Sequence, residues 1–200
     1  IYIYTGGELG KRFRDALVRA QQRGVAVKSM VDSFGSITLP GNFWDQLIAV
    51  GGQFHWFNPM SLKRFGIRDH RKMLVCDEQT AFIGGFNIAC EYDGDGVTKG
   101  WRDFGLELAD PAALHPLAES FDSLFRDHRL RHWLVRQVRR ASLRWPLFYS
   151  HPGPVLFSGP RLVRNQFRHQ LLRTLHAAKH VRIVSAYFLP GFRLQRALCR

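Results

Sequence analysis

The chain reads as an α/β protein, on three observations. Leu9, Phe13, Ala16, Leu17 and Ala20 line one stripe at helical spacing, and Gly24 supplies the stop. Several short apolar runs bounded by Gly, Asp, Asn or Ser have the length of strands instead. The two kinds alternate along the chain, the order expected of a β-sheet flanked by helices. With 200 residues, 46% hydrophobic and 13% aromatic, the chain has ample material for a buried core.

The elements follow in order. A helix is predicted over 9–23, then a strand over 25–31, ended by Asp32-Ser33-Phe34-Gly35-Ser36. Residues 43–49 make a second, short helix, and Phe54-His55-Trp56-Phe57 another strand. A loop containing Pro59 and Gly66 leads to Met73–Cys76, an apolar run that carries a strand into the core. Cys76 is read there as a small core residue. Asp77 ends the run, Glu78 and Gln79 turn, and Thr80–Ile83 form a second buried strand before Gly84-Gly85. Phe104, Leu106 and Leu108 alternate with smaller or charged residues, a strand with one face buried. The next helix turns Ala113, Leu117, Phe121, Leu124 and Phe125 inward.

Beyond Phe125 the character changes. Residues 126–144 carry seven arginines around Trp133, Leu134, Val138 and Leu143, and read as a basic, partly amphipathic helix. Such a helix is either a solvated connector or a segment that lies on an anionic membrane surface. Pro146, Pro152, Gly153 and Pro154 mark a boundary. A strand over 155–157, a helix over 163–175 and a strand over 181–186 follow. The expected organisation is a first repeat over 1–125, a basic connector over 126–154 and the start of a second repeat over 155–200. Gly10, Phe13, Ala16 and Leu17 are matched by Gly191, Leu194, Ala197 and Leu198, each set after a short apolar strand.

Charge is divided unevenly. Residues 1–125 hold 13 Lys+Arg against 15 Asp+Glu, a balance of −2, while residues 126–200 hold 16 against one, a balance of +15. The basic surface therefore lies outside the central motif and suits anionic lipid or nucleic acid. Cys76, Cys90 and Cys199 are an odd number without metal-ligand spacing, which favours a reducing compartment over a disulfide framework. The longest apolar runs fall well short of the roughly 20 residues that span a bilayer. The opening Ile1-Tyr2-Ile3-Tyr4 reads as a strand in progress, so a longer parent chain is expected.

The most informative stretch runs from His70 to Tyr92. His70 and Lys72 are two apart, so on an extended backbone their side chains leave one face. An imidazole that can attack or protonate, beside a cation that neutralises non-bridging oxygens, is what chemistry on a phosphate diester needs.

The spacing of His70, Lys72, Asp77, Gly84-Gly85 and Asn87 resembles the phospholipase D superfamily motif. The continuation Asn87-Ile88-Ala89-Cys90-Glu91-Tyr92, with Trp101-Arg102-Asp103, is similar to its bacterial cardiolipin synthase branch. The resemblance implies a phospholipase D-like repeat with a mixed β-sheet flanked by helices, followed by the beginning of a second repeat near Ala186-Tyr187-Phe188-Leu189-Pro190-Gly191. It also implies a phosphatidyltransferase that joins two phosphatidylglycerols into cardiolipin plus glycerol through a phosphohistidine. In that scheme His70 is the nucleophile, with the general-acid role as its alternative. Lys72 and Asn87 hold phosphate oxygens, and Asp77 touches substrate or only fixes a turn. Asp103 is the candidate for orienting the imidazole, and Glu91 is its rival.

No metal or cofactor is expected, because His70, Cys76, Asp77 and Cys90 lack zinc-ligand spacing. The implied partners are anionic phospholipid, namely phosphatidylglycerol, and a membrane surface, with the protein peripheral on the cytosolic face of a bacterial membrane. No second His-x-Lys-x4-Asp occurs within these 200 residues. A second motif is therefore expected from residues beyond Arg200 or, less simply, from a second chain. Two other functions stay open: a phosphodiesterase or nuclease using the same residues, with nucleic acid as partner, and a non-catalytic membrane-binding fragment.

Overall fold

A computed structural model describes residues 1–59, 68–126, 155, 166–185 and 188–199. The chain is mixed α/β and divides into two compact units, 1–140 and 141–200.

In the first unit, α1 (Glu8–Gln22) is the predicted helix, and Gly24 at φ +92 closes it. The Val25 amide still donates to the Ala20 carbonyl at 3.1 Å. Strand β1 therefore begins later than predicted, as Lys28–Asp32, and includes the aspartate. α2 (Asp45–Ala49) is preceded by turns rather than starting at Phe43. β2 (Gln53–Phe57) lies parallel to β1, with Met30 opposite His55 and Val31 opposite Trp56. β3 (Met73–Cys76), β4 (Thr80–Gly84) and β5 (Gly105–Leu108) form an antiparallel sheet in that order. α3 (Pro111–Arg126) packs against β3.

Residues 1–5 join the two strand groups. The Asp32 amide donates to the Ile1 carbonyl at 3.0 Å. The Ile88 amide donates to Ile3 at 3.1 Å and the Thr5 amide to Ile88 at 2.9 Å. Tyr4, Val27, Val31, Leu39, Phe43, Trp44, Leu47 and Ile88 make the core beside this junction. Tyr4 stands edge-on to Trp44 at 5.0 Å, and its hydroxyl donates to the Gly10 carbonyl at 2.7 Å. A hydroxyl bonded in this way is buried without a desolvation penalty left unpaid. Burial accordingly pushes the Tyr4 phenol well above the ordinary tyrosine range.

Several expectations about burial need correction. β3 and β4 are not fully buried strands: Leu74 is 46% exposed, Phe82 45%, and Cys76 is exposed rather than in the core. α3 covers one face of this sheet and the other is open, so alternate residues face solvent. β5 is the edge strand, and Phe104 and Leu106 are exposed, with only Leu108 half-buried. α3 turns Ala113, Leu117, Leu124 and Phe125 inward as expected, while Phe121 is only half-buried.

In the second unit, α4 (Gln166–Ala177) and α5 (Phe192–Leu198) are helices. Residues 181–185 form no strand, and Val184 is 82% exposed. The predicted basic helix over 126–144 lies outside the described residues beyond Arg126, as do residues 156–157 of the strand at 155–157 and the start of the helix at 163.

Leu47 is fully buried against this core. Leu47→Ala should therefore cost roughly 2–5 kcal/mol, measured as a lowered urea midpoint with unchanged slope.

Candidate active site

His70 and Lys72 stand on extended backbone just before β3. The Gly84 amide donates to the Lys72 carbonyl at 3.3 Å and continues the hairpin ladder up to the site. Asp69, Arg71 and Met73 leave one side of the strand, and Arg71 Nη1 reaches Ser120 Oγ of α3 at 3.3 Å. His70, Lys72 and Leu74 leave the other side, as the two-residue period requires.

His70 is exposed and Lys72 is 7% exposed. Lys72 Nζ lies 2.9 Å from His70 Nδ1 and 3.3 Å from Nε2, and it donates to the His70 carbonyl at 2.9 Å. The Tyr2 ring packs on the imidazole with centroids 4.4 Å apart, and Lys72 Nζ sits 5.4 Å from the same ring.

Burial and then the adjacent ammonium hold the His70 pKa below the usual 6.5, against the opposing charges of Asp69 and Asp32. At neutral pH the ring is thus unprotonated and has a lone pair to offer. Burial pushes Lys72 down to about 8, with Asp103 and Asp69 opposing the shift. A neutral imidazole beside an ammonium that is charged below pH 8 has the chemistry to attack or accept a proton next to a group that can bind an anion.

Asp103 reaches this cluster because residue 85 is glycine. A Cβ on Gly85 would collide with both carboxylate oxygens of Asp103, and one on Gly84 would lie 2.6 Å from the Phe104 carbonyl. The Gly85 amide donates to that carbonyl at 3.2 Å, while the Asp103 carboxylate accepts from the Phe104 amide at 2.7 Å. The charge of Asp103 acts on Lys72, whereas the carboxylate charges acting on His70 are those of Asp69 and Asp32. The rival Glu91 is exposed, and its backbone carbonyl accepts from the Trp101 amide at 2.6 Å.

Asn87 is buried, and its side chain ties two segments together. Its Oδ1 accepts from the Ile3 amide at 3.0 Å and its Nδ2 donates to the Tyr92 hydroxyl at 2.9 Å. One amide hydrogen remains beyond those bonds. Asp77 is exposed in the β3–β4 turn, with φ +53 followed by Glu78 at φ +52, and the Gln79 amide donates to Cys76 at 3.0 Å. Five residues of extended chain put it roughly 16 Å from Lys72. The structure thus groups His70, Lys72 and Asp103, sets Asn87 in the supporting junction and leaves Asp77 at the far end of the hairpin.

Sequence reasoning missed Tyr2, Asp32, Asp69 and Arg71. Asp69 accepts from Arg71 Nε at 2.8 Å and Nη2 at 3.1 Å. The two sit two apart, a visible spacing for a pair on the opposite side from His70 and Lys72. The contact of Tyr2 with His70 has no such local signal. Among the described residues no cluster of three His, Cys, Asp or Glu could hold a metal ion.

A glycine pair, a carboxylate, an imidazole and an ammonium gathered at one end of a β-hairpin in a mixed α/β fold are what a phospholipase D-like domain presents. Residues 1–125 match the family model described as cardiolipin synthase, PLD-like domain, and the chain belongs to that family. It is 31% identical over 210 residues to the major cardiolipin synthase ClsA of Bacillus subtilis, covering 98% of this chain and 42% of that protein. It is 29% identical over 208 residues to cardiolipin synthase B of Salmonella typhimurium, covering 98% and 49%. Cardiolipin synthase B of Escherichia coli is 29% identical over 204 residues, again covering 98% and 49%. The chain spans about half the length of the curated relatives it matches.

Lys72 carries the first test of this geometry. In protein labelled at the lysine ε-carbons, its NMR titration should have a midpoint near 8, charged below and neutral above. Gly85→Ala displaces the Asp103 carboxylate, which favours the ammonium, so the midpoint should move to lower pH. An unmoved midpoint would detach Asp103 from Lys72.

Proposed function

We propose that this chain supplies the first of two half-sites of a cardiolipin synthase-type phosphatidyltransferase, which joins two phosphatidylglycerols into cardiolipin and glycerol. The observation that carries this reading is the exposed His70 imidazole held 2.9 Å from the Nζ of buried Lys72. The relatives, named cardiolipin synthases, support the choice of substrate.

In this mechanism a His70 nitrogen attacks phosphorus of the first phosphatidylglycerol, and the bond from phosphorus to the headgroup glycerol oxygen breaks. The leaving oxygen takes a proton from the acid of the second half-site. A terminal hydroxyl of the second phosphatidylglycerol then attacks phosphorus, returns its proton to that group and breaks the P–N bond. Lys72 neutralises the non-bridging oxygens, with the remaining amide hydrogen of Asn87 as a further donor. Asp103 keeps Lys72 charged. The second motif comes from a longer chain or from a second chain in an isologous pair.

The protein would work peripherally, on the cytosolic face of a bacterial membrane, with the arginine-rich stretch over 126–144 drawn to anionic headgroups. Among the described residues no helix is long and apolar enough to cross a membrane. The +15 balance of residues 126–200 favours one second reading, a phosphodiesterase acting on nucleic acid. That reading requires binding to DNA or RNA that weakens steeply with salt.

Acid-quenched full-length protein, incubated with phosphatidylglycerol labelled in phosphate, should carry label on histidine, and His70→Ala should carry none. Label retained in the variant would move the nucleophile to the other half-site. Turnover should also survive EDTA, since a histidine and lysines do the work here; loss reversed by a divalent ion would sink the mechanism.

A further inference from the structure

We propose that Asp32 is a positioning residue of this site, its buried carboxylate setting where His70 stands through the Asp69 amide. This rests on the reading of His70 as the reacting imidazole. Asp32 ends β1 and is 1% exposed, yet its two oxygens serve two separate segments. One oxygen accepts from the Phe34 amide at 2.9 Å and the Gly35 amide at 3.3 Å. The other accepts from the Asp69 amide at 3.0 Å, 37 residues away along the chain. The Arg68 guanidinium stands 3.8 Å from the carboxylate.

The Asp69 amide is one peptide from His70. Residues 69–72 are therefore held at one end by Asp32 and at the other by the Gly84 amide on the Lys72 carbonyl. The carboxylate of Asp69 is taken by Arg71 and leaves the backbone bond as its tie to β1.

The turn that Asp32 closes also carries the ring on which the imidazole packs. Ser36 Oγ donates to the Tyr2 carbonyl at 3.0 Å, and a Cβ on Gly35 would strike that same carbonyl. One buried carboxylate thus aligns the backbone beneath His70 and the Tyr2 ring beside it. Asparagine cannot replace it, because its amide would present N–H to at least one of the three N–H donors.

The charge acts as well as the bonds. Among the described residues, the charges that act on His70 are the Lys72 ammonium and the Asp69 and Asp32 carboxylates, and the Tyr2 ring packs on it. Asp32 favours the imidazolium, so neutralising it lowers the His70 pKa and keeps the ring unprotonated to lower pH.

The test measures phosphatidyl transfer against pH in the full-length protein for wild type, Asp32→Asn, Asp32→Glu and His70→Ala. Asp32→Asn should lose on the order of 10²-fold in kcat, as an imidazole displaced by about an ångström would. KM should change little, and the acid limb should move to lower pH. Asp32→Glu, which keeps the charge and moves the oxygens, should lose kcat without moving the limb. A carboxylate that only stabilised the fold would lower the active fraction and leave the limb in place.

Folded Asp32→Asn with wild-type kcat and pH profile would overturn the inference, as would loss of the folded state in both Asp32 variants. Activity retained in His70→Ala would instead overturn the underlying reading, whatever the Asp32 variants did.

Discussion

The site depends on burying one ammonium. Lys72 is 7% exposed, and an unpaired cation taken from water to that degree would shed its proton or force the chain open. Several features answer this demand together. The Asp103 and Asp69 carboxylates favour the charge, the His70 carbonyl accepts a hydrogen bond, and the Tyr2 ring lies 5.4 Å away. The balance is incomplete, which is why the group settles near 8. An ammonium that is only partly compensated still has charge to offer a phosphate, whereas a saturated ion pair would have little.

The same demand explains the glycine pair. The Asp103 carboxylate can lie against residue 85, where its charge favours the Lys72 ammonium, only because the backbone there carries no side chain, and β5 can approach β4 at 84 for the same reason. Asn87 and Tyr4 then secure the junction. One binds the amide of Ile3 and the other packs into the core from the same short segment, so that Tyr2 is delivered to the imidazole.

How much of this was legible in the sequence depends on how local each signal was. The β3–β4 hairpin and the shared face of His70 and Lys72 rest on a period of 2 and stand in the structure nearly as read, whereas α1 forms as read but leaves Phe13 and Ala16 of its stripe exposed and packs Leu9, Leu17, Val18 and Ala20 on the core. Burial was less legible. Apolar residues at Leu74, Phe82 and Leu106 mark strands, but nothing in the spacing says that α3 leaves the face of Leu74 and Phe82 uncovered or that it packs on β3 rather than on β5, where Leu106 stands. Asp32 and Asp69 were illegible for another reason: each looks like an ordinary loop acid, and their bond joins positions 37 residues apart. The effect of Asp103 on Lys72 depends on a close approach at Gly85 visible only once β5 lies on β4.

Asp77 and Glu78 both take left-handed backbone conformations without being glycine, in the turn at the end of the hairpin far from His70. That turn decides how β3 meets β4, with Met73 opposite Ile83 and Cys76 opposite Thr80. A slip of one residue would rotate every side chain of the strand to the other face. His70 and Lys72 would then point toward the α3 side, and Asp69 and Arg71 would take their places. Asp77 stands in that turn, roughly 16 Å along the hairpin from Lys72. A register fixed at the turn is thus felt at the other end of the hairpin as a choice between its two sides.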